Sequence, residues 1–340
     1  MVLVNFLRAI KDFSLKYRQI IVLAILAWLV WALGLEKQGL ILAFLIWSFW
    51  AFGLGMLGGW FLARGSLSSF PEIKNTDRIL ILAPHIDDEV ISCAGLIQEA
   101  VKIGAKVLVV YATNGDSHLA SVLAKSRTFD PNDFIDLGEK RMAEAKEATI
   151  ILGLKPESSV FLGYPDRGLG QMLYKFFAQE TPYTSTGTRF NYNPYKNTYR
   201  EKQSYAGTNL LIDLNDIVDD FKPTIAIVPH PRDNHIDHKS LYYFWEKLIT
   251  EKEIFIKEYA YLVHFRLYPP AKKLDEDDFL YPPKQLFSEE GWYSFDLSLE
   301  QQEKKLKAIR QNASQLKTID SSQALLESFV KRNEIFEKIE

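Results

Sequence analysis

Hydrophobic and polar residues divide the chain into two unlike parts. Residues 20–35 (IIVLAILAWLVWALGL) and 40–63 are uncharged and almost wholly apolar, and Glu36, Lys37, Gln38 and Gly39 separate them. A helix crosses the hydrocarbon core with about 20 apolar residues, so the second run is long enough and the first is at the short limit. The second run also has no polar face to turn toward water. Arg8, Lys11, Lys16 and Arg18 precede the first run, Arg64, Lys74 and Arg78 follow the second, and only Lys37 lies between them. By the positive-inside bias, residues 1–65 are a membrane anchor: a transmembrane hairpin with both flanks cytoplasmic. Phe6, Leu7, Ile10 and Phe13 at helical spacing suggest an interfacial helix before it, and Gly55 and Gly59 form a GxxxG pair suited to self-association.

After a Ser-, Pro- and Asn-containing linker at residues 66–77, the pattern becomes strand then helix, repeated over a domain of residues 78–340. Short apolar runs at 79–83, 107–112, 160–162, 225–228 and 259–265 read as strands. Segments 89–102, 137–152, 210–221 and 241–249 read as helices, with Gly104 and Gly153 as stops. This alternation predicts an α/β fold with a mostly parallel sheet and helices on both faces. Residues 181–205, rich in Tyr, Asn, Thr and Gly, read as a long loop. Residues 274–283 read as a surface excursion and 299–339 as a charged helical tail.

Composition narrows the function. With 47% hydrophobic residues, 24% charged and a net charge of −3, a disordered chain is excluded and nothing points to nucleic acid. Cys93 is the only cysteine, which excludes an intrachain disulfide and a cysteine-rich zinc site.

Two motifs at strand ends carry the chemistry. Pro84-His85-Ile86-Asp87-Asp88-Glu89 follows the first strand, where parallel sheets bind ligands. If that turn is helical, His85 and Asp88 share a face, as two ligands of one ion must, while Asp87 points elsewhere and reaches a bound water. The second motif, Pro229-His230-Pro231-Arg232-Asp233-Asn234-His235-Ile236-Asp237-His238, repeats the three-residue spacing at His235 and His238. Of six histidines in the chain, His85, His230, His235 and His238 sit at these two strand ends. Two imidazoles, a carboxylate and an open fourth position suit catalytic zinc. The plainer reading is helix capping by the Asp-Asp-Glu run and a solvated histidine turn, and it weakens when both motifs occur at strand ends of one domain.

PHIDDE with a downstream HIDH resembles the LmbE/PIG-L family of zinc-dependent N-acetylglucosaminyl deacetylases. Arg141-x-x-Glu144, Leu162-Gly163-Tyr164-Pro165-Asp166, Tyr261-Leu262-Val263-His264 and Ser314-Gln315 look like further segments of that family, although Ile86 stands where the family usually has proline. The resemblance implies a Rossmann-like domain that binds one Zn2+ through His85, Asp88 and His238. It implies Asp87 as general base, His235 as oxyanion stabiliser or general acid, and Asp237 as the residue orienting a histidine. The expected reaction removes acetyl from an N-acetyl amino sugar, on a lipid-linked carrier if the anchor holds the site at the bilayer. Asp166 and Arg167 are candidate contacts for sugar hydroxyls or a phosphate, or form a plain turn. Arg141 lines the site or pairs with Glu144 along its helix, and His264 lines the pocket or packs in the core. Tyr183, Tyr192, Tyr195 and Tyr199 stack on sugars or pack the loop down. Two competing functions fit the same residues: a magnesium-dependent phosphoryl-transfer enzyme using the carboxylates, and a non-catalytic sugar-binding membrane scaffold.

Overall fold

The computed structural model describes residues 67–339 apart from 118–120, 123–129, 179, 288–290 and 317–321. The expected anchor, with its hairpin at 20–35 and 40–63, lies outside the described residues. Among the described residues no helix is long and apolar enough to cross a membrane.

Eight strands form one sheet: β1 (Ser68–Ser69), β2 (Arg78–Ala83), β3 (Lys106–Thr113), β4 (Ser159–Tyr164), β5 (Ile225–Pro229), β6 (Lys257–Tyr261), β7 (Trp292–Asp296) and β8 (Asn333–Ile339), in the order β1-β7-β8-β6-β5-β2-β3-β4. The five strands from β6 to β4 are parallel, and β8 alone runs against its neighbours β6 and β7. The helices are α1 (Asp88–Ile103), α2 (Pro131–Ile151), α3 (Leu169–Tyr174), α4 (Gly207–Phe221), α5 (Ile236–Lys252), α6 (Leu299–Ile309), α7 (Ala313–Leu316) and α8 (Ser322–Glu327).

The sequence of β2, Arg-Ile-Leu-Ile-Leu-Ala, is apolar throughout because both faces are covered. Ile79 and Ile81 join the core under α1, α2 and α6, whereas Leu80 and Leu82 join the core under α3, α4 and α5. Each of these fully buried side chains contributes roughly 1.5–3 kcal/mol of transfer free energy. Helix α1 begins with Asp88 and Glu89 at its positive end and stops at Gly104, whose φ of 83° is free for glycine. Strands β2, β3 and β4 step outward to one side, and β5 then pairs on the other side of β2. The carboxyl ends of β2 and β5 therefore flank the crevice where the strand order reverses.

Four expectations are corrected. The linker is part of the fold from Leu67 onward, since β1 pairs with β7, Ile73 is buried and Phe70 packs against Tyr259 and Phe336. Helix α2 begins six residues before the expected Leu137, because Asp130 caps it through the Asn132 N–H and Pro131 supplies its first φ. Strand β6 ends at Tyr261, so His264 is not a strand residue. The charged tail does not stay helical: its last segment is β8, inserted between β6 and β7, where partners supplied by the sheet outweigh local charge patterning.

Candidate active site

Both motifs close on one cavity of about 220 Å3 at the reversal point, lined among others by His85, Asp87, Asp88, Asp166, His235 and His264. The turn from β2 to α1 is not helical, because α1 starts only at Asp88. His85 and Asp88 meet instead through a tight turn, in which the His85 N–H donates to Asp88 Oδ2 at 2.9 Å. His85 Nδ1 lies 3.6 Å from Asp88 Oδ2, and His238 Nε2, from the first turn of α5, lies 3.3 Å from the same oxygen. Donors bonded tetrahedrally to zinc at about 2.0–2.2 Å sit roughly 3.3–3.6 Å apart, so each imidazole nitrogen stands at ion-sharing distance from the Asp88 oxygen.

The outer faces of the imidazoles support this assignment. His85 Nε2 is 3.2 Å from Asp237 Oδ2 and 3.4 Å from Asp166 Oδ1, which places its proton on Nε2 and leaves Nδ1 toward Asp88. His238 Nδ1 is 3.3 Å from Asp233 Oδ2, which leaves Nε2 inward, and neither buried nitrogen of His238 completes a hydrogen bond among the described residues. Burial opposes protonation of His238, but Asp233 and Asp88 outweigh it and push its pKa up to about 10. Burial likewise opposes protonation of His85, and Asp166, Asp237 and Asp88 hold it well above the usual imidazole range. The carboxylates surround a place where a cation is wanted, so the residues present fit a divalent metal. His235 and His264 stand close by: the donor atoms of His85, His235 and His238 lie within 4.8 Å of one another, as do those of Asp88, His238 and His264.

Asp87 is the N-cap of α1 and sits at φ 114°, a region costly to an L side chain by roughly 1–3 kcal/mol and concentrated at functional sites. Burial and the Asp88 charge push its carboxyl up to about 7, and a bound cation would draw it down again. His235 is the N-cap of α5, and its Nδ1 accepts the Asp237 N–H at 3.3 Å, which puts its own proton on Nε2. Burial and the charges of His85 and His238 depress its pKa to about 2. His235 is therefore a neutral Nε2–H donor, which suits the oxyanion-stabilising role more than the general-acid role. Asp237 contacts His85 Nε2 and also accepts the Arg167 and Leu169 N–H groups at 2.6 and 3.1 Å, tying α3 to α5.

Other expectations divide. Asp166 faces the cavity, but its oxygens are engaged by the Ser117 N–H and His85, so it braces the site and has little left for a sugar. Arg167 is exposed at the cavity wall with φ 61°. Arg141 does not pair with Glu144. Its guanidinium donates to Gly115 O at 2.5 Å and Ser121 Oγ at 3.2 Å, while Glu144 accepts from Ser314. Gly115 sits at φ 63°, a conformation that favours glycine, and a Cβ there would also come within 2.5 Å of the Arg141 guanidinium. Tyr195 is buried and donates to Asp116 Oδ2 at 2.5 Å, Tyr183 and Tyr199 pack on the core, and Tyr192 packs on Phe190. The loop tyrosines thus hold the loop down. His230 leaves the site altogether, stacking on Trp292 and bonding Glu337 at 2.5 Å. The fourth histidine of the site is His264, a cavity wall whose pKa is lowered to about 4 by burial and His238.

Sequence reasoning assigned no role to Asp233. It accepts the His235, Val263 and His264 N–H groups at 2.8, 3.1 and 2.9 Å, besides facing His238. Its only signal in the sequence was a carboxylate inside a histidine motif.

The family model for PIG-L, described as GlcNAc-PI de-N-acetylase, matches residues 80–249, half of the chain and both motifs. Among solved structures, the N,N'-diacetylchitobiose deacetylase from Pyrococcus horikoshii is 19% identical with a TM-score of 0.47, covering 77% of this chain and 83% of that one. The zinc-inhibited form of the teicoplanin deacetylase Orf2 is 16% identical with a TM-score of 0.48, covering 77% and 97%. The 4-carboxy-2-hydroxymuconate hydratase GalB from Pseudomonas putida is 16% identical with a TM-score of 0.45, covering 74% and 82%. No curated protein matches the chain. The match over half of the chain shows that it belongs to the PIG-L family, and with it to the metal-dependent N-deacetylases.

Proposed function

We propose that the chain is a membrane-anchored, zinc-dependent hydrolase that removes the N-acetyl group from an N-acetyl amino sugar, N-acetylglucosamine in a lipid-linked or other glycoconjugate. The observation that carries this reading is the convergence of His85 and His238 on one oxygen of Asp88, with Asp87 beside them in the same cavity. His85, Asp88 and His238 would hold the ion. Zinc, when bound, supplies a Lewis acid and lowers the pKa of water toward about 7. Asp87 takes the proton of the attacking water as it adds to the amide carbonyl. His235 donates through Nε2–H to the oxyanion that forms, an interaction worth about 3–4 kcal/mol when well placed. With His235 neutral, Asp87 returns the proton to the departing amine, and acetate and a free amino sugar leave. Asp237 and Asp233 keep His85 and His238 turned inward, and Arg167 and Arg141 are the remaining candidates for contact with the substrate. Magnesium phosphoryl transfer is the weaker reading, because magnesium selects oxygen donors and two of these three are imidazoles.

The apolar runs at 20–35 and 40–63 support a hairpin anchor, a multi-pass membrane location and a cytoplasmic catalytic domain. The GxxxG pair at Gly55 and Gly59 supports self-association. An anchor would present lipid-linked sugars at high effective concentration. The decisive experiment is metal analysis of the detergent-purified full chain, with acetate release from N-acetylglucosamine-containing probes. About one zinc per chain, lost in His238→Ala, and turnover abolished in metal-replete Asp87→Asn are the expected results. Wild-type protein that binds no divalent metal would refute the mechanism.

A further inference from the structure

We infer that Glu89 and Gln315 are positioning residues that hold Asp87 by clamping a single peptide plane, a reading that rests on Asp87 being the base proposed above. Asp87 has φ 114° and ψ −26°. The peptide joining Ile86 to Asp87 is gripped at both of its polar ends. The Asp87 N–H donates to Glu89 Oε2 at 3.1 Å, and Ile86 O accepts from Gln315 Nε2 at 2.6 Å. Rotating that plane by half a turn would bring Asp87 to a φ of about −65°, which together with its ψ is ordinary right-handed helix. Asp87 would then be an unremarkable first residue of α1. The strained conformer therefore has a relaxed competitor one peptide flip away.

The two side chains oppose the flip directly. After it, the N–H that Glu89 Oε2 accepts would be replaced by a carbonyl oxygen, and an N–H would face the Gln315 amide N–H, so both present hydrogen bonds would be broken. The flip also displaces the Asp87 nitrogen and with it Cβ, so the carboxyl moves off its position. The helix itself does not decide the matter: the Asp87 carbonyl accepts the Val90 and Ile91 N–H groups at 3.1 and 3.0 Å, on the side of Cα that the flip leaves alone. Glu89 comes from the first turn of α1 and is fully buried. Gln315 comes from α7, beyond the residues that match the family model, and lines the cavity. The C-terminal segment thus reaches the backbone of the base.

The test uses the full chain loaded with zinc. Gln315→Leu and Glu89→Leu are expected to lower kcat at least tenfold, with KM changed by less than about twofold and metal content unchanged, as for a misplaced group that does not bind substrate. Glu89→Gln keeps an acceptor oxygen and is expected to retain kcat within about threefold. Acetate release from N-acetylglucosamine and N,N'-diacetylchitobiose is the activity probe. Crystal structures of both leucine variants are the independent readout, with Asp87 expected at negative φ. Asp87 still at positive φ in both leucine variants, with kcat per folded molecule unchanged, would overturn the clamp. Asp87→Asn is measured alongside: if it stays active, the base assignment fails, and the φ of Asp87 in the variants still decides whether the clamp exists.

Discussion

At Asp233 a single carboxylate does three things at once: it faces the outer nitrogen of His238, caps the turn through the His235 N–H, and holds the backbone of Val263 and His264. A metal-binding imidazole needs its second nitrogen fixed, and removing such a partner typically costs 10–100-fold in metal affinity. Asp233→Ala is therefore expected to weaken zinc binding by about that factor, measured by competition with a chromogenic chelator. Unchanged affinity would reduce Asp233 to a brace for the neighbouring loop. Arg141 illustrates the opposite difficulty. Its spacing to Glu144 suggests an ordinary helical ion pair, yet both side chains turn to segments distant in the chain, the Gly115 turn and Ser314 of α7. Helical periodicity specifies which face a side chain occupies, and it contains no term for what tertiary partner that face meets.

Among the elements, β8 is the one that local pattern describes worst and tertiary contacts hold most firmly. Glu334, near its start, is buried and accepts the Gly95 and Leu96 N–H groups of α1 at 2.9 and 3.1 Å, and the buried Lys305 of α6 lies 2.8 Å from it. Breaking such a pair from one side leaves an uncompensated buried charge at a cost of about 3–5 kcal/mol. Glu334→Ala is expected to lose stability in that range by equilibrium urea unfolding, whereas the double change Lys305→Met with Glu334→Leu is expected to recover most of it. A loss below about 1 kcal/mol for the single variant would show that the pair is not carrying the joint between α1, α6 and β8. Three of the helices behave differently. α1, α4 and α5 fall where periodicity and stop signals place them, with ends extended by a few residues, because each buries an apolar stripe that its own sequence already contains.

For the whole molecule, the candidate metal joins segments that are otherwise separate: the turn after β2, the start of α1 and the first turn of α5. An ion bound only by the folded chain stabilises it by mass action, about 2.7 kcal/mol at a hundredfold excess over its dissociation constant. Zinc is expected to raise the melting temperature of chelator-treated protein, and His238→Ala is expected to abolish that rise; an equal rise in the variant would place the ion elsewhere. The apolar strand runs, the helix stops and the two histidine motifs were legible in the sequence because each is a local property: a run long enough to be buried on both faces, a glycine that accepts positive φ, a donor set of the right chemistry. The same locality made His85, Asp87, Asp88, His235 and His238 readable as one centre. What only the tertiary structure decided is which carboxylate stands behind which imidazole, that His264 replaces His230 in the cavity, that Asp87 is strained, and that β8 reverses into the sheet. Each of these depends on chain segments tens to hundreds of residues apart arriving at the same place, and such proximity is fixed by packing of the whole core, which no local pattern encodes.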